Sequence, residues 1–425
     1  MVVLMAFSPV VSRRINLERR LGAARPTDAL DFNLSERSAT TISSLAMNTH
    51  RALTWDRNLG ARLSTVSTPV CGPHDVIVAP RFVGICGTDI QVFRGARSAL
   101  ANTLGHEGVG IVAEVGELVK EWSRGDSVVF NPVNPSHPDE MLGYTFDGLF
   151  QEKILIPDIR SLNWLIQSIP GDMLSPVGAL IEPVATAVYS HDLVSGSLGE
   201  RVAVVVGDGP IALINSIVLR LRGFKQVLMV AGRSPRSRWA VECGYFDRED
   251  VIFGRGDIAD RIIDRLNGEF ADVAIVCTPG EVVEQALGDA FGYLKPNGTV
   301  DLVSAATPSV VSLEGRDLDV GAIRSRNWCG KPLRGYFEWI ETTGGNGVRV
   351  TSQRGISAGH LNASIELLRA HPGDFEALVT EVVDLADAPA LVSSVVAWSF
   401  GRPESERPEG NRPMKAVTEL NRDEF

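Results

Sequence analysis

The stretch Arg201–Ser234, "RVAVVVGDGPIALINSIVLRLRGFKQVLMVAGRS", decides how the chain is read. A run of valines ends at Gly207-Asp208-Gly209, an apolar pattern of helical length follows, and after Gly223 a second apolar run begins. A short β-branched run bounded by glycine reads as a parallel strand buried on both faces, so the whole stretch reads as strand, helix, strand. The form recurs downstream. "ADVAIVCT" (271–278) leads through "EVVEQALGDAFGYL" (281–294) to "NGTVDLVS" (297–304). Alternation of this kind predicts a doubly wound α/β domain.

Within the first unit, Gly207, Gly209 and Ala212 occupy the three positions of the G-x-G-x-x-G/A pattern, with Pro210 and Ile211 opening the helix. The first glycine permits a tight turn and the second lets a pyrophosphate approach the backbone. The small third residue lets helix and strand pack closely, and the helix N-terminus offers free N–H groups to the phosphates. The pattern ends a strand and opens a helix inside a βαβ unit, the context that distinguishes a dinucleotide site from a structural turn. The second strand ends in "VAGRSPRSR" (230–238), with Gly232 where an NAD site usually has Asp or Glu. Arg233, Ser234 and Arg236 follow, and arginine suits a 2′-phosphate. The expectation is NADP favoured over NAD, with no carboxylate at this corner; the other reading is a solvated loop and a pocket that accepts both cofactors.

Upstream the texture differs. "VIVAPRFVGICGTD" (76–89) reads as a strand running into a loop, and "GVGIVAEVGELVKEWSRGDSVVF" (108–130) as two or three short strands punctuated by turns. Short strands at this spacing predict a mostly β, barrel-like unit. "PVGALIEPVATAVYSHDLV" (176–194) is helix-like, and "LVTEVVDL" (378–385) and "MKAVTEL" (414–420) look like strands that return to the β unit. At 425 residues, two domains are the starting expectation. The net charge of −11 argues against a general binder of nucleic acid or membrane surface. The five cysteines, at 71, 86, 243, 277 and 329, form no CxxC pair, which points to a reducing, cytoplasmic setting rather than a disulfide framework. Residues 1–46 mix charged and polar residues without periodicity and read as a poorly ordered extension; the first strand is expected just after Met47.

One stretch raises a metal question. Cys86, His106 and Glu107 lie among glycines in "GICGTDIQVFRGARSALANTLGHEGVG" (84–110). The residues alone leave open a metal site or a chance grouping in a loop. However, "GICGTD", "GHEGVGIVAEVG", "GDSVVF", "IEPVATAVYS" and "GDGPIAL" occur in that order. This series resembles the zinc-dependent medium-chain dehydrogenase/reductase superfamily of alcohol, polyol and threonine dehydrogenases, from about Met47 to the C-terminus.

The resemblance implies an N-terminal GroES-like β-barrel catalytic domain (47–189, with 346–425 returning to it) and a doubly wound Rossmann domain (190–345). It implies one catalytic zinc on Cys86 and His106, with Glu107 or Glu182 supplying a further position. It also implies that Asp89 holds the other ring nitrogen of His106 and that Thr88 touches the substrate hydroxyl and relays its proton. The four-cysteine lobe of many relatives is missing, since "NPVNPSHPDEMLGYTFDGLFQEKILIP" (131–157) contains no cysteine. No structural zinc is therefore expected. His137 is a lone loop histidine there, and Tyr144, Phe146 and Phe150 are candidates for a substrate wall or for plain core packing. The implied reaction is reversible oxidation of a secondary alcohol, of polyol, sugar or cyclitol type, by a cytoplasmic homo-dimer or homo-tetramer acting on a small molecule. The competing readings are a silent NADP(H)-binding protein and a zinc-free quinone or enoyl reductase on the same fold.

Overall fold

The computed structural model describes residues 48–422 apart from 57–59, 196–200, 233, 255, 305–308, 314, 342–346 and 399–412. The expected extension at 1–46 and Arg233 lie outside the described residues. The chain opens with an antiparallel pair, β1 (Thr49–Asp56) and β2 (Gly60–Ser67). There follow β3 (Val76–Gly84), a short helix α1 (Gly87–Phe93), β4 (Glu107–Val115), β5 (Ser127–Phe130), β6 (Ile154–Ile156) and β7 (Ile166–Ser168). The long helix α2 (Ile181–Val194) then leads into the strands that alternate with helices.

Those are β8 (Val202–Val206), α3 (Pro210–Leu221), β9 (Gln226–Ala231), α4 (Pro235–Glu242), β10 (Val251–Phe253), α5 (Ile258–Arg265), β11 (Ala271–Val276), α6 (Val283–Tyr293) and β12 (Leu294–Leu302). A small antiparallel pair, β13 (Val310–Leu313) and β14 (Arg316–Asp319), precedes α7 (Val320–Arg326), β15 (Glu338–Glu341) and β16 (Gly347–Ser352). Helix α8 (Ala358–Ala370) and the strands β17 (Val379–Asp384) and β18 (Lys415–Glu419) follow.

Two seven-stranded sheets result. One runs β10-β9-β8-β11-β12-β16-β15, parallel except for β15. All five residues of β8 are buried, which is why this strand reads as continuous valine rather than as an alternation. The other sheet runs β17-β18-β3-β4-β5-β7, with β6 also on β3. The two C-terminal strands join it, β18 antiparallel to β3. The boundary expected at 345/346 needs correction. β16 pairs in parallel with β12, so the doubly wound sheet extends to Ser352. In sequence β16 is a short run that could belong to either sheet, and only its ladder reveals where it belongs.

Helix α2 couples the two sheets. It is buried nearly all round and packs on α3, α8, β12 and β4, with Ala185 and Ala187 allowing close approach. Its Ser190 hydroxyl donates to Asp301 Oδ2 on β12, while Asp301 Oδ1 has no hydrogen-bond partner. Burial pushes the Asp301 carboxyl up to about 7, against the smaller opposing pulls of Ser190 and Arg324. Unfolded, an aspartate titrates near 3.9. The unfolded chain therefore releases this proton first, and folding stability falls as pH rises from about 4 to about 7, with the full penalty above that. Asp301→Asn is expected to raise the thermal midpoint at pH 8 by roughly 2 °C or more, with a smaller or reversed effect at pH 4; thermal melts of both proteins across that range measure it.

Candidate functional site

The glycine turn lies at the switch point of the doubly wound sheet, where neighbours diverge on either side of β8 and β11, the usual place for a ligand crevice. Gly207 has φ +129°, and a Cβ there would stand 3.1 Å from the Cys277 carbonyl at the end of β11. Only glycine meets both demands. Gly209 caps α3, Pro210 takes its first position, where no N–H is needed, and Ala212 is fully buried against the sheet. Ile211 is partly buried beside them.

Two expectations for the cofactor corner change. Arg236 is buried, and its Nε and Nη2 donate to the Pro413 carbonyl at 3.0 and 2.5 Å, with Met414 O at 3.3 Å from Nη2. Its Nη1 faces the glycine turn, 3.6 Å from where a Gly209 Cβ would be. Arg236 is thus an anchor for the strand leading into β18, with Nη1 turned to the glycine turn.

The expectation of no carboxylate also fails. Asp208, from inside the glycine turn, accepts a hydrogen bond from the Ser234 hydroxyl at 2.5 Å. That oxygen in turn accepts from Ser237 N at 3.1 Å as the cap of α4. With its one proton on Asp208, Ser234 has none left for a phosphate. The sequence did contain Asp208, but only the fold carries it across to the second strand's end.

The metal candidates gather at the edge of the other sheet. Cys86 caps α1, and its backbone N–H donates to Asp89 Oδ2 at 2.9 Å. The other oxygen, Asp89 Oδ1, lies 3.4 Å from His106 Nδ1. Asp89 therefore caps the turn with one oxygen and brings the other within ion-pair distance of the imidazole, without closing a hydrogen bond to it. That leaves His106 Nε2 turned to the cluster, where Thr88 Oγ1 lies 3.5 Å away and donates to Cys86 Sγ at 3.1 Å. Ligand atoms of Cys86, His106 and Glu107 all lie within 4.8 Å of one another.

Glu182 rises from the first turn of α2 and is not within that radius of all three, yet its charge acts on the same cluster. Burial, then the negative charge of Glu107, push its carboxyl up to about 7. Burial and Glu107 likewise raise the Cys86 thiol. For His106, burial is the largest single influence and works downward, but Asp89 and Cys86 together outweigh it and the pKa rises well above the usual value.

Sequence reasoning missed the buried cation here. Lys415, the first residue of β18, pairs with Glu107 Oε2 and reaches the Ile85 carbonyl at 3.2 Å. Gly84 makes room for it, since a Cβ there would lie 2.6 Å from Lys415 Cε. A lone lysine opening an apolar strand was the available signal. Thiolate, imidazole and two carboxylates, packed where burial disfavours their ionised forms, make a donor set that a zinc ion fits.

Of the remaining candidates, Tyr144 is buried with its ring 5.6 Å from that of His106. Phe150 is fully buried in the β-unit core, beneath Gly105, and Phe146 packs against that core. His137 is exposed in its loop.

Residues 72–164 match the alcohol dehydrogenase GroES-like domain. Over 253 residues the chain is 32% identical to the NADP-dependent isopropanol dehydrogenase of Thermoanaerobacter brockii, covering 55% of this chain and 69% of the relative. It is 30% identical to the D-xylulose reductase of Saccharomyces cerevisiae over 278 residues, 60% of this chain and 75% of the relative. The chain belongs to the zinc-dependent medium-chain dehydrogenase/reductase family. The sorbitol dehydrogenase of Mus musculus is 31% identical over 52% of this chain and 66% of its own length. The 2R,3R-butanediol dehydrogenase of Bacillus subtilis shares the fold, with a TM-score of 0.62 at 23% identity over 88% of this chain and all of that one. Among the described residues, no helix is long and apolar enough to cross a membrane.

For this family member, elemental analysis of the purified protein is expected to give close to one zinc per chain, and Cys86→Ser to lose most of it. A value near two would instead require a second site.

Proposed function

We propose that the chain is an NAD(P)-dependent oxidoreductase that interconverts a secondary alcohol, of polyol, sugar or cyclitol type, and its ketone at a single catalytic zinc. The observation that carries this reading is the convergence of Cys86, His106 and Glu107, with Thr88 in their midst. Cys86, His106 and one or both of Glu107 and Glu182 would hold the metal. A zinc so held supplies a Lewis acid for the alcohol oxygen, and the nicotinamide accepts the hydride.

The protein's own groups do the rest. Asp89 fixes the His106 ring so that Nε2 faces the cluster. Lys415 holds Glu107 and offsets its charge. Thr88 stands where an alcohol proton leaves, and its hydroxyl, now donated to Cys86 Sγ, both accepts and donates, as a relay requires. Helix α2, packed on both β4 and α3, keeps the cluster and the dinucleotide turn in register, which is what a direct transfer between two bound molecules needs. Assembly as a homo-dimer or homo-tetramer in the cytoplasm belongs to the same reading.

For the cofactor, we propose that NADP is favoured over NAD, through Arg233 and against the opposing charge of Asp208. Both contributions are testable by kcat/KM with each cofactor. Gly232→Asp with Arg233→Ser should shift preference toward NAD, by roughly ten- to a hundred-fold if a charge-assisted bond of about 1.5–3 kcal/mol is lost. Asp208→Asn should shift it the other way by about tenfold, because a repulsive group is removed. A wild-type preference for NAD of tenfold or more would show that the arginines do not read the phosphate.

A further inference from the structure

A cavity of about 190 Å³ is lined by Arg97, Met141, Tyr144, Thr145 and Arg354 among others. Its inner wall is Tyr144, the residue whose ring faces His106. The Tyr144 side chain is buried, and its hydroxyl closes no hydrogen bond. Tyr144 thus borders both the cavity and the histidine of the cluster. Pockets for whole drug-sized ligands run to roughly 300–1,000 Å³. A space of this size suits one end of a small substrate.

Two arginines stand on the other walls, Arg97 and Arg354. The Arg97 guanidinium lies 4.5 Å over the Tyr144 ring, and among the described residues no carboxylate pairs with it. Arg354 reaches Asp139 only at 3.8 Å, and that carboxylate is 98% exposed to water. A pair so long and so wet contributes little. A third arginine is within electrostatic reach. Arg324 is pulled down to about 10, first by burial and then by the positive charge of Arg354, with Arg97 adding to it against the pull of Asp301. Arg97 and Arg354 thus share one cavity, with Arg324 buried behind it, in a chain whose net charge is −11. Asp139 also lines the cavity, so two guanidinium groups face one water-exposed carboxylate there. An excess of positive charge concentrates anions, and the guanidinium fork matches carboxylate and phosphate oxygens.

We propose that the alcohol substrate carries an anionic group, a phosphate or a carboxylate, which Arg97 and Arg354 hold while the Tyr144 hydroxyl meets the polar body between that group and the reacting carbon. The proposal rests on the dehydrogenase reading above and narrows its substrate class. Negatively charged polyols or cyclitols would enter; their neutral parents would bind without the arginine contacts.

The test compares sorbitol, sorbitol 6-phosphate and gluconate with the zinc-loaded full chain, by initial rates with NADP and NAD and by calorimetric binding. One of the two anions is expected to exceed sorbitol by at least tenfold in kcat/KM or affinity, and which one it is distinguishes phosphate from carboxylate. Arg354→Gln and Arg97→Gln should each weaken that anion by about tenfold, change sorbitol by less than twofold, and leave zinc content intact. Arg354→Lys should recover part of the loss. Equal handling of neutral and charged ligands, or equal losses for both in the variants, would overturn the proposal. Absence of turnover with every alcohol, alongside arginine-dependent binding of an anion, would overturn the dehydrogenase reading and leave the anion site standing.

Discussion

The buried pair of Lys415 and Glu107 ties the last strand of the chain to the residue beside the ligand histidine. Both side chains are almost fully withdrawn from water, so each needs the other; removing one would strand a charge in the interior. The pair forms only if β18 lies against β3, if Gly84 has no side chain, and if Glu107 opens β4 beside it. It also decides how many negative charges the cluster presents. Cys86, Glu107 and Glu182 share one small volume, and Lys415 offsets one of them, leaving a site whose remaining charge suits a divalent ion.

Helix α2 carries this arrangement to the other half of the molecule. Its first turn presents Glu182 to the cluster, and its later turns pack on the helix that follows the glycine turn. The Ser190–Asp301 bond fixes that helix to β12 at the cost of burying a carboxyl with one oxygen unsatisfied. A polar bond in this position specifies the helix's register more sharply than apolar packing can, because a slip of one residue would leave both groups unpaired. Just after β12, the Val303 carbonyl accepts a hydrogen bond from Arg324.

Much of this was legible from residue order. The all-buried valine strand, the glycine turn and the small Ala212 are local features, and local physics dictates them: a β-branched run between glycines has few other conformations. Cys86, Asp89, His106 and Glu107 were legible because they sit in two short motifs, and the fold brings those motifs together as the resemblance implies. For Arg236 the sequence could not show that the backbone of residues 413–414, far along the chain, takes the hydrogen bonds of Nε and Nη2, leaving Nη1 toward the glycine turn.

By itself, then, the amino-acid sequence determined the two kinds of domain and the glycine turn, since each depends on residues within a few positions of one another, while the candidate ligand side chains were legible through the order of motifs that the resemblance rests on. Only the tertiary structure decided which charges face which. Asp208 meets Ser234 across 26 residues, Lys415 meets Glu107 across 308, and Arg97 and Arg354 share one cavity wall from opposite halves of the chain. Such pairings are set by strand order and by where the chain returns, and Coulomb energy depends on distance in space rather than on distance along the chain. That is the physical reason the candidate metal ligands were readable before the fold, while the charges proposed to act on cofactor and substrate were not.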